Sequence, residues 1–201
     1  ERLRYPLPAG QTAKELVWAW LREGWRYRKI GSKPKQVQDM YFERLKYEME
    51  IIEQKDFIDY FLMLSDLVRA AKDRGIPVGP ARGSAAASLA VYLLRITEID
   101  PMNHPTMFFE RFIDLTREDL PDVDLDFDDE RRGEMWDLAR ERYGADRVGN
   151  IGTYTKYKGK NSIDDVGRKR WPSGAITHDE LRPLKVLASR LPCAYANPGR
   201  F

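Results

Sequence analysis

Cysteine and histidine are scarce in this 201-residue chain, which contains one cysteine, Cys193, and two histidines, His104 and His178. A single cysteine excludes an internal disulfide framework and a cysteine-based zinc site, and two histidines are too few for a histidine metal cluster. The low cysteine content is typical of proteins in a reducing compartment, and we expect the chain to be cytoplasmic.

Long apolar runs are also absent. No stretch approaches the roughly 18 residues of a membrane span, and the first residues lack the apolar core of a signal peptide. Hydrophobic residues make up 42% of the chain and charged residues 33%, which indicates a soluble globular protein. The length allows one domain, or one domain and a piece of another. We therefore expect no membrane partner.

Charge is distributed unevenly, although the net charge is only +2. Residues 1–36 hold nine Lys/Arg against three Asp/Glu, and residues 142–201 hold twelve against five. Residues 98–141 reverse this balance, with five basic residues against fifteen acidic ones. Basic flanks around an acidic centre suit a polyanion held beside a metal site, but either flank alone is equally well explained as a solvated helix face.

The acidic centre contains a stretch in which acidic and apolar residues alternate, residues 121–127, here called the acidic segment. In a β-strand this period of two predicts Asp122, Asp124 and Asp126 on one face, opposite an apolar face that can be buried. Carboxylates in a row are hard oxygen ligands, which suit Mg²⁺ together with substrate phosphates. The acids that follow are explained as the start of the next helix and are left out of the site: Asp128, Asp129 and Glu130.

A stretch rich in small residues, residues 79–88, reads Gly-Pro-Ala-Arg-Gly-Ser-Ala-Ala-Ala-Ser. Its glycines and proline predict a turn, with Ser84 at a helix N-cap and a helix over residues 85–94. Unpaired backbone N–H groups at such a helix start, together with the Arg82 guanidinium, favour an anion. Taken alone, the pattern is equally consistent with a capped helix that binds nothing.

Three amphipathic helices are predicted before this stretch. The first begins after Thr12, and Glu15 three residues later completes a capping-box pattern. The second is predicted over residues 34–54 and the third over residues 56–74, each with apolar residues at the helical period. We therefore expect a helical segment ahead of the candidate site.

Four motifs follow one another along the chain. They are Ile-Pro-Val-Gly-Pro-Ala-Arg-Gly-Ser-Ala-Ala at residues 76–86, Phe-Glu-Arg-Phe at 109–112, Pro-Asp-Val-Asp-Leu-Asp-Phe at 121–127 and Asp-Val-Gly-Arg at 165–168. In order and spacing they resemble the signature motifs of C-family bacterial replicative DNA polymerases, the family of the DNA polymerase III alpha subunit. The resemblance extends from about residue 13 to residue 168.

The resemblance implies an α+β fold, a palm domain of the polymerase-β-like nucleotidyltransferase type. We expect a twisted mixed sheet with helices packed on it and carboxylates at the strand ends. It also implies three parts, namely a lead-in with the first helix over residues 1–35, the N-terminal part of the palm over 36–168, and the start of a thumb or an irregular tail over 169–201.

The same resemblance assigns roles to individual residues. Asp122 and Asp124 match the first two catalytic, metal-binding aspartates, whereas Asp126 is not a principal ligand. The residues matched to binding of the incoming triphosphate are Arg82, Gly83, Ser84, Arg111 and Arg117. Those expected to contact primer-template DNA are Lys156, Lys158, Lys160 and Arg168. The implied cofactor is Mg²⁺, as two ions, and the implied small-molecule partner is a dNTP.

Departures from the family pattern qualify this reading. Ala81 and Ala87 replace glycines, and Ala81 would be strained if its backbone required a positive φ. The family's third catalytic aspartate and its fingers lie beyond the matched region, so we expect a polymerase segment that is inactive alone, either a fragment or one piece of a split polymerase that needs a complementing chain. Two alternatives remain, a non-catalytic DNA- or nucleotide-binding module derived from a palm, and another metal-dependent phosphotransfer enzyme.

Overall fold

The structure, a computed structural model, describes residues 4–114, 116 and 119–149. These belong to one compact unit, residues 1–149, and residues 150–201 make up a second unit that lies outside the description. The boundaries expected at residues 35/36 and 168/169 stay predictions. The expected thumb start falls in the second unit.

Helices and short turns account for most of the described residues. The α-helices are α1 (Ala13–Tyr27), α2 (Lys35–Gln54), α3 (Ile58–Asp73), α4 (Leu89–Leu93) and α5 (Arg132–Tyr143). The 3-10 turns are Ile30–Ser32, Gly83–Ala87, Pro101–Asn103 and Phe109–Arg111. The first three predicted helices are confirmed, with ends within two residues of the predicted ones.

The start of α1 shows why the sequence specifies it so clearly. The Glu15 amide donates to Thr12 Oγ1 at 3.2 Å, and the Thr12 amide donates to Glu15 Oε2 at 2.9 Å. This reciprocal pair satisfies backbone donors that have no partner within the helix. The predicted capping box is therefore confirmed.

Helix α4 lies at the centre of the main hydrophobic core, and its residues Leu89, Ala90, Val91 and Leu93 are buried. Helices α1 and α2 both pack against it. In α1, Gly24 lies so close to α4 that a Cβ atom there would overlap the carbonyl oxygen of Leu93. From α3, Ser65 Oγ donates to the Leu94 carbonyl at 2.7 Å. Three helices thus fix α4.

A second, smaller cluster joins α3 to α5. It comprises Ala70, Ala71, Ile76, Met135 and Leu138. At its edge the Tyr143 hydroxyl donates to Asp66 Oδ2 at 2.8 Å, and Arg142 pairs with the same carboxylate. None of the helices in the described part of the chain is long and apolar enough to span a membrane.

The expected α+β palm with a twisted mixed sheet is wrong for the residues that the structure describes. Among them, strand pairing is limited to one isolated antiparallel bridge, between Val78 and Phe127. Beside it, the Gly79 amide donates to the Asp126 carbonyl at 2.8 Å. Pro77 and Pro80 flank the bridge, and proline has no N–H with which to continue a ladder. The acidic segment is therefore extended but does not belong to a sheet.

Candidate metal and triphosphate site

The acidic segment has the alternation that its sequence predicts. Asp122, Asp124 and Asp126 are exposed, whereas the apolar residues between them are half-buried. Val123 and Leu125 pack against the main core, and Phe127 packs against the smaller cluster. The apolar residues therefore fix the segment on the helices and leave the three carboxylates facing outward.

Tyr60 of α3 anchors the beginning of this segment. Its hydroxyl donates to the Pro121 carbonyl at 2.8 Å. Burial and, to a smaller extent, the negative charge of Asp122 raise the pKa of Tyr60, a hydrogen bond with the Val123 backbone lowers it, and the net pKa is about 12. The pKa of Tyr60 therefore depends on the position of Asp122.

The turn Gly83–Ala87, here called the glycine turn, lies directly against the acidic segment. Gly83 has a φ of +63°, and a Cβ atom there would lie 2.7 Å from Asp124 Oδ2. At Gly79 a Cβ atom would lie 2.9 Å from the Cβ atom of Asp126. A side chain at either position would require the neighbouring aspartate to shift, and at Gly83 the positive φ also favours glycine.

Among the described residues, Arg82 links the two stretches by an ion pair, with its Nη1 atom 2.9 Å from Asp126 Oδ1. Both side chains are exposed, so the pair is solvated. The hydrogen bond with Asp126 raises the pKa of Arg82, and the charges of Asp126 and Asp124 raise it further. Arg82, Gly83 and Asp124, three of the predicted site residues, are thus close together.

One prediction about the glycine turn is wrong. Ser84 is not a helix N-cap, because residues 83–87 form a 3-10 turn and α4 starts only at Leu89. Ser88 caps that helix instead, with its Oγ atom accepting from the Val91 amide at 3.2 Å. Ala81 does not have a positive φ, so the strain considered for a non-glycine residue there does not arise.

Of the remaining predicted site residues, the structure describes only Arg111. The turn Phe109–Arg111 lies next to the glycine turn, and Arg111 is exposed at its end. Its neighbour Glu110 accepts a hydrogen bond from the Tyr47 hydroxyl at 2.7 Å. The other predicted phosphate and DNA contacts lie outside the described residues: Arg117, Lys156, Lys158, Lys160 and Arg168.

The carboxylates of Asp122 and Asp124 fit part of a magnesium site. Neither forms a hydrogen bond or ion pair with a residue that the structure describes, so their oxygen atoms are available to a cation. Within the same residues, no group of three or more potential ligands converges to make a complete protein cage. Mg²⁺ commonly takes one or two carboxylates and completes its shell with water and substrate phosphates. The two aspartates suit that mode of binding.

Sequence reasoning missed Glu48, a buried carboxylate of α2 that contacts the start of α4. Its signal was an acidic residue on the apolar face that also carries Tyr41, Leu45 and Ile52. A charged side chain on a buried face requires a partner. The partners, however, are about forty residues away in sequence, and no local pattern identifies them.

Comparison with known proteins identifies the family. Residues 11–178, most of the chain, match the family described as the bacterial DNA polymerase III alpha NTPase domain. The chain belongs to the bacterial DNA polymerase III alpha family. This confirms the resemblance seen in the four motifs.

Individual DNA polymerase III alpha subunits show the same relationship. The subunit of Ureaplasma parvum is 46% identical over 141 residues, which are 70% of this chain and 14% of that protein. That of Mycobacterium tuberculosis is 43% identical over 196 residues, 94% of this chain and 16% of that protein. That of Bacillus subtilis is 40% identical over 164 residues, which are 82% of this chain and 14% of that protein. The chain therefore spans about a sixth or less of these curated relatives.

Proposed function

We propose that this chain is the part of a DNA-directed DNA polymerase that holds the catalytic metal and the incoming triphosphate. The observation that carries the proposal is the contact between Gly83 and Asp124, because it joins the predicted phosphate turn to a predicted metal ligand. Membership of the DNA polymerase III alpha family agrees with this role.

Asp122 and Asp124 are the residues that would hold Mg²⁺, which the family resemblance implies as two ions. Bound there, Mg²⁺ would activate the primer 3′-hydroxyl and offset negative charge on the triphosphate. The exposed carboxylates supply two of the required ligands, and dNTP phosphates and water supply others. Asp126 is left out of the metal shell because the family resemblance does not make it a principal ligand, and without a bound triphosphate it pairs with Arg82.

The glycine turn would bind the triphosphate. Amides of Gly83 and Ser84 donate to phosphate oxygens, and Arg82 contributes a guanidinium once it exchanges Asp126 for the ligand. Arg111, at the end of a turn that contacts the glycine turn, and Arg117 are the further cations that we propose for the triphosphate. Gly83, with its φ of +63° and no side chain, lets the turn backbone approach the Asp124 carboxylate closely, which would keep the phosphates beside a proposed metal ligand.

Primer-template DNA would be bound by basic residues beyond the described part of the chain. Lys156, Lys158, Lys160 and Arg168 are the candidates, and phosphate contacts of this kind weaken steeply as salt concentration rises. We place this function in the cytoplasm, in agreement with the low cysteine content.

We infer that nucleotidyl transfer requires residues outside this chain, because the family resemblance places a third catalytic aspartate and the fingers beyond the matched region. The test is primer extension with Mg²⁺ and all four dNTPs. We expect none from this chain alone, and extension when a chain carrying the rest of the palm and the fingers is added. Extension by this chain alone would overturn the requirement for a partner.

Matched variants test the metal assignment in the complemented enzyme. Asp122→Ala and Asp124→Ala should each abolish extension, because each removes a metal ligand. Asp128→Ala and Asp129→Ala remove neighbouring acids that are not proposed metal ligands, and both variants should retain primer extension. Full activity in either variant of the first pair would contradict the assignment.

A second candidate is a binding module that holds nucleotide or DNA without catalysis. It is favoured by the absence of a third converging carboxylate among the described residues. The same assay distinguishes the two candidates, since a binding module would bind dNTP but would not support extension with any complementing polymerase chain.

A further inference from the structure

Glu48 is a buried acid to which the proposed function gives no role. Its side chain is 0% exposed, and a carboxylate in such a position is costly unless donors surround it. Arg44 Nε lies 2.6 Å from its Oε1 atom, and Ser88 Oγ lies 2.8 Å from its Oε2 atom. The amides of Leu89 and Ala90 donate to it at 3.0 and 2.9 Å. Three of these four donors immediately follow the glycine turn.

Arg44 extends the same connection into the turn itself. Its Nη2 atom donates to the carbonyl of Ala87, the last residue of the glycine turn, at 3.1 Å. Arg44 and Glu48 are four residues apart, about one turn of α2, so they lie on the same face of the helix. Together they bind the chain on both sides of Ser88. The C-terminal end of the turn is therefore fixed by a buried ionic cluster.

The other end of the turn meets the acidic segment. Gly83 contacts Asp124, and Arg82 forms only a solvated pair with Asp126. The turn is five residues long, and its last three, Ala85–Ala87, are buried. A shift of the buried end by a fraction of an ångström would therefore be transmitted to the Gly83 and Ser84 amides.

We propose that Glu48, together with Arg44, is a positioning residue that sets the glycine turn at the distance from Asp124 that triphosphate binding requires. This inference rests on the proposed function of the turn. The inference assigns Glu48 no contact with substrate. Glu48 binds the chain at Ser88 and the start of α4, and the buried residues Ala85–Ala87 separate that point from the Gly83 and Ser84 amides. Helix α4 has independent contacts with α1 and α3, so loss of Glu48 should displace the turn more than the core.

The test compares Glu48→Gln with Glu53→Gln in the full 201-residue chain. Glu53 is also on α2 and also links helices, accepting from Lys14 Nζ at 2.6 Å and Trp18 Nε1 at 3.2 Å, but both partners belong to α1. Binding of tripolyphosphate and of dATP would be measured by calorimetry in the presence of Mg²⁺, and Mn²⁺ binding separately. We expect Glu48→Gln to weaken triphosphate binding about tenfold or more, with Mn²⁺ affinity little changed.

Glu53→Gln should leave both affinities unchanged. Unchanged triphosphate affinity in Glu48→Gln, or an equal loss of triphosphate and Mn²⁺ affinity, would overturn the inference and leave the proposed function intact. Failure of the unmodified chain to bind triphosphate would overturn both. If Glu48→Gln does not fold, Arg44→Lys replaces it, since it keeps the positive charge but removes the two separate guanidinium nitrogens that bind Glu48 and Ala87. It should weaken triphosphate binding in the same direction, and an unchanged affinity would contradict the inference.

Discussion

The two sides of the candidate site are held in different ways. On one side, the glycine turn runs into α4, which is buried between α1, α2 and α3 and is tied down by Glu48. On the other side, the acidic segment lies on the surface with its aspartates exposed. Its polar contacts with the rest of the described chain are few: Tyr60 with Pro121 and Val123, Gly79 with Asp126, and Arg82 with Asp126.

This difference suits a site in which one part must stay fixed while the other exchanges ligands. Phosphate-binding amides need a set geometry, and burial of α4 supplies it. Carboxylates that bind and release a cation benefit from access to water, and the exposed segment gives it. The following predictions test this contrast, beginning with the largest expected effect.

Gly24→Ala should be the most damaging substitution. A Cβ atom would overlap the Leu93 carbonyl oxygen, a backbone atom that can move only with all of α4. We expect a loss of about 3 kcal/mol or more in the free energy of unfolding, measured by urea denaturation. The control is Gly133→Ala in α5, where nothing lies within 4 Å of the new atom. It should stabilise the chain by about 0.5 kcal/mol, and similar effects for the two would refute the close packing of α1 on α4.

Gly83→Ala should reduce both stability and metal binding. Its φ of +63° costs an alanine about 1–2 kcal/mol, and the new Cβ atom would displace the Asp124 carboxylate. Gly10→Ala is the control, since Gly10 has a φ of +80° with nothing within 4 Å. Both should lose similar stability in thermal unfolding, but only Gly83→Ala should weaken Mn²⁺ binding. Equal Mn²⁺ affinities would show that the turn does not reach Asp124.

Tyr60→Phe should cost about 1 kcal/mol at neutral pH, because it removes the hydrogen bond to Pro121. Tyr47→Phe, which removes a more exposed bond to Glu110, should cost less. The pKa of Tyr60 is about 12 in the folded chain and about 10 when unfolded, so its contribution to stability is present below pH 10 and is lost as pH rises toward 12. The difference in the free energy of unfolding between wild type and Tyr60→Phe should narrow as pH rises over that range. A difference that stays constant with pH would contradict the assigned pKa.

The Arg82–Asp126 pair should have the smallest effect on stability. Both side chains are more than half exposed, so Arg82→Gln and Asp126→Asn should each cost under about 0.5 kcal/mol. Their effects on tripolyphosphate binding should differ. Arg82→Gln should bind tripolyphosphate with lower affinity than wild type, whereas the affinity of Asp126→Asn should not fall below that of wild type. A loss of affinity in Asp126→Asn equal to that in Arg82→Gln would mean that the aspartate, too, is needed to bind the anion.

Local signals in the sequence were sufficient for the helices. The Thr12–Glu15 capping box and the helical period of α2 and α3 depend on residues within a few positions of one another, and all three helices are confirmed. The alternation in the acidic segment was predictable for the same reason, because side-chain period alone determines which residues face outward.

Long-range contacts were not predictable in this way. The expected sheet required backbone pairing partners for the acidic segment, and among the described residues only the bridge at Val78 forms. Ser84 was expected to cap a helix that in fact starts after Ser88, because Glu48, forty residues earlier, binds the amides at that point. The approach of Gly24 to Leu93 has no local signature either. In each case the deciding partner is distant in sequence.

Mn²⁺ titration of the ¹⁵N-labelled chain tests the central claim most directly. Because a paramagnetic ion broadens nearby signals, the amides of residues 122–126 and of Gly83 should broaden first at low Mn²⁺ concentration. Asp122→Asn combined with Asp124→Asn should abolish that effect, whereas Asp128→Asn combined with Asp129→Asn should preserve it. Broadening centred on residues 128–130, or unaffected by loss of Asp122 and Asp124, would contradict a metal site beside the glycine turn.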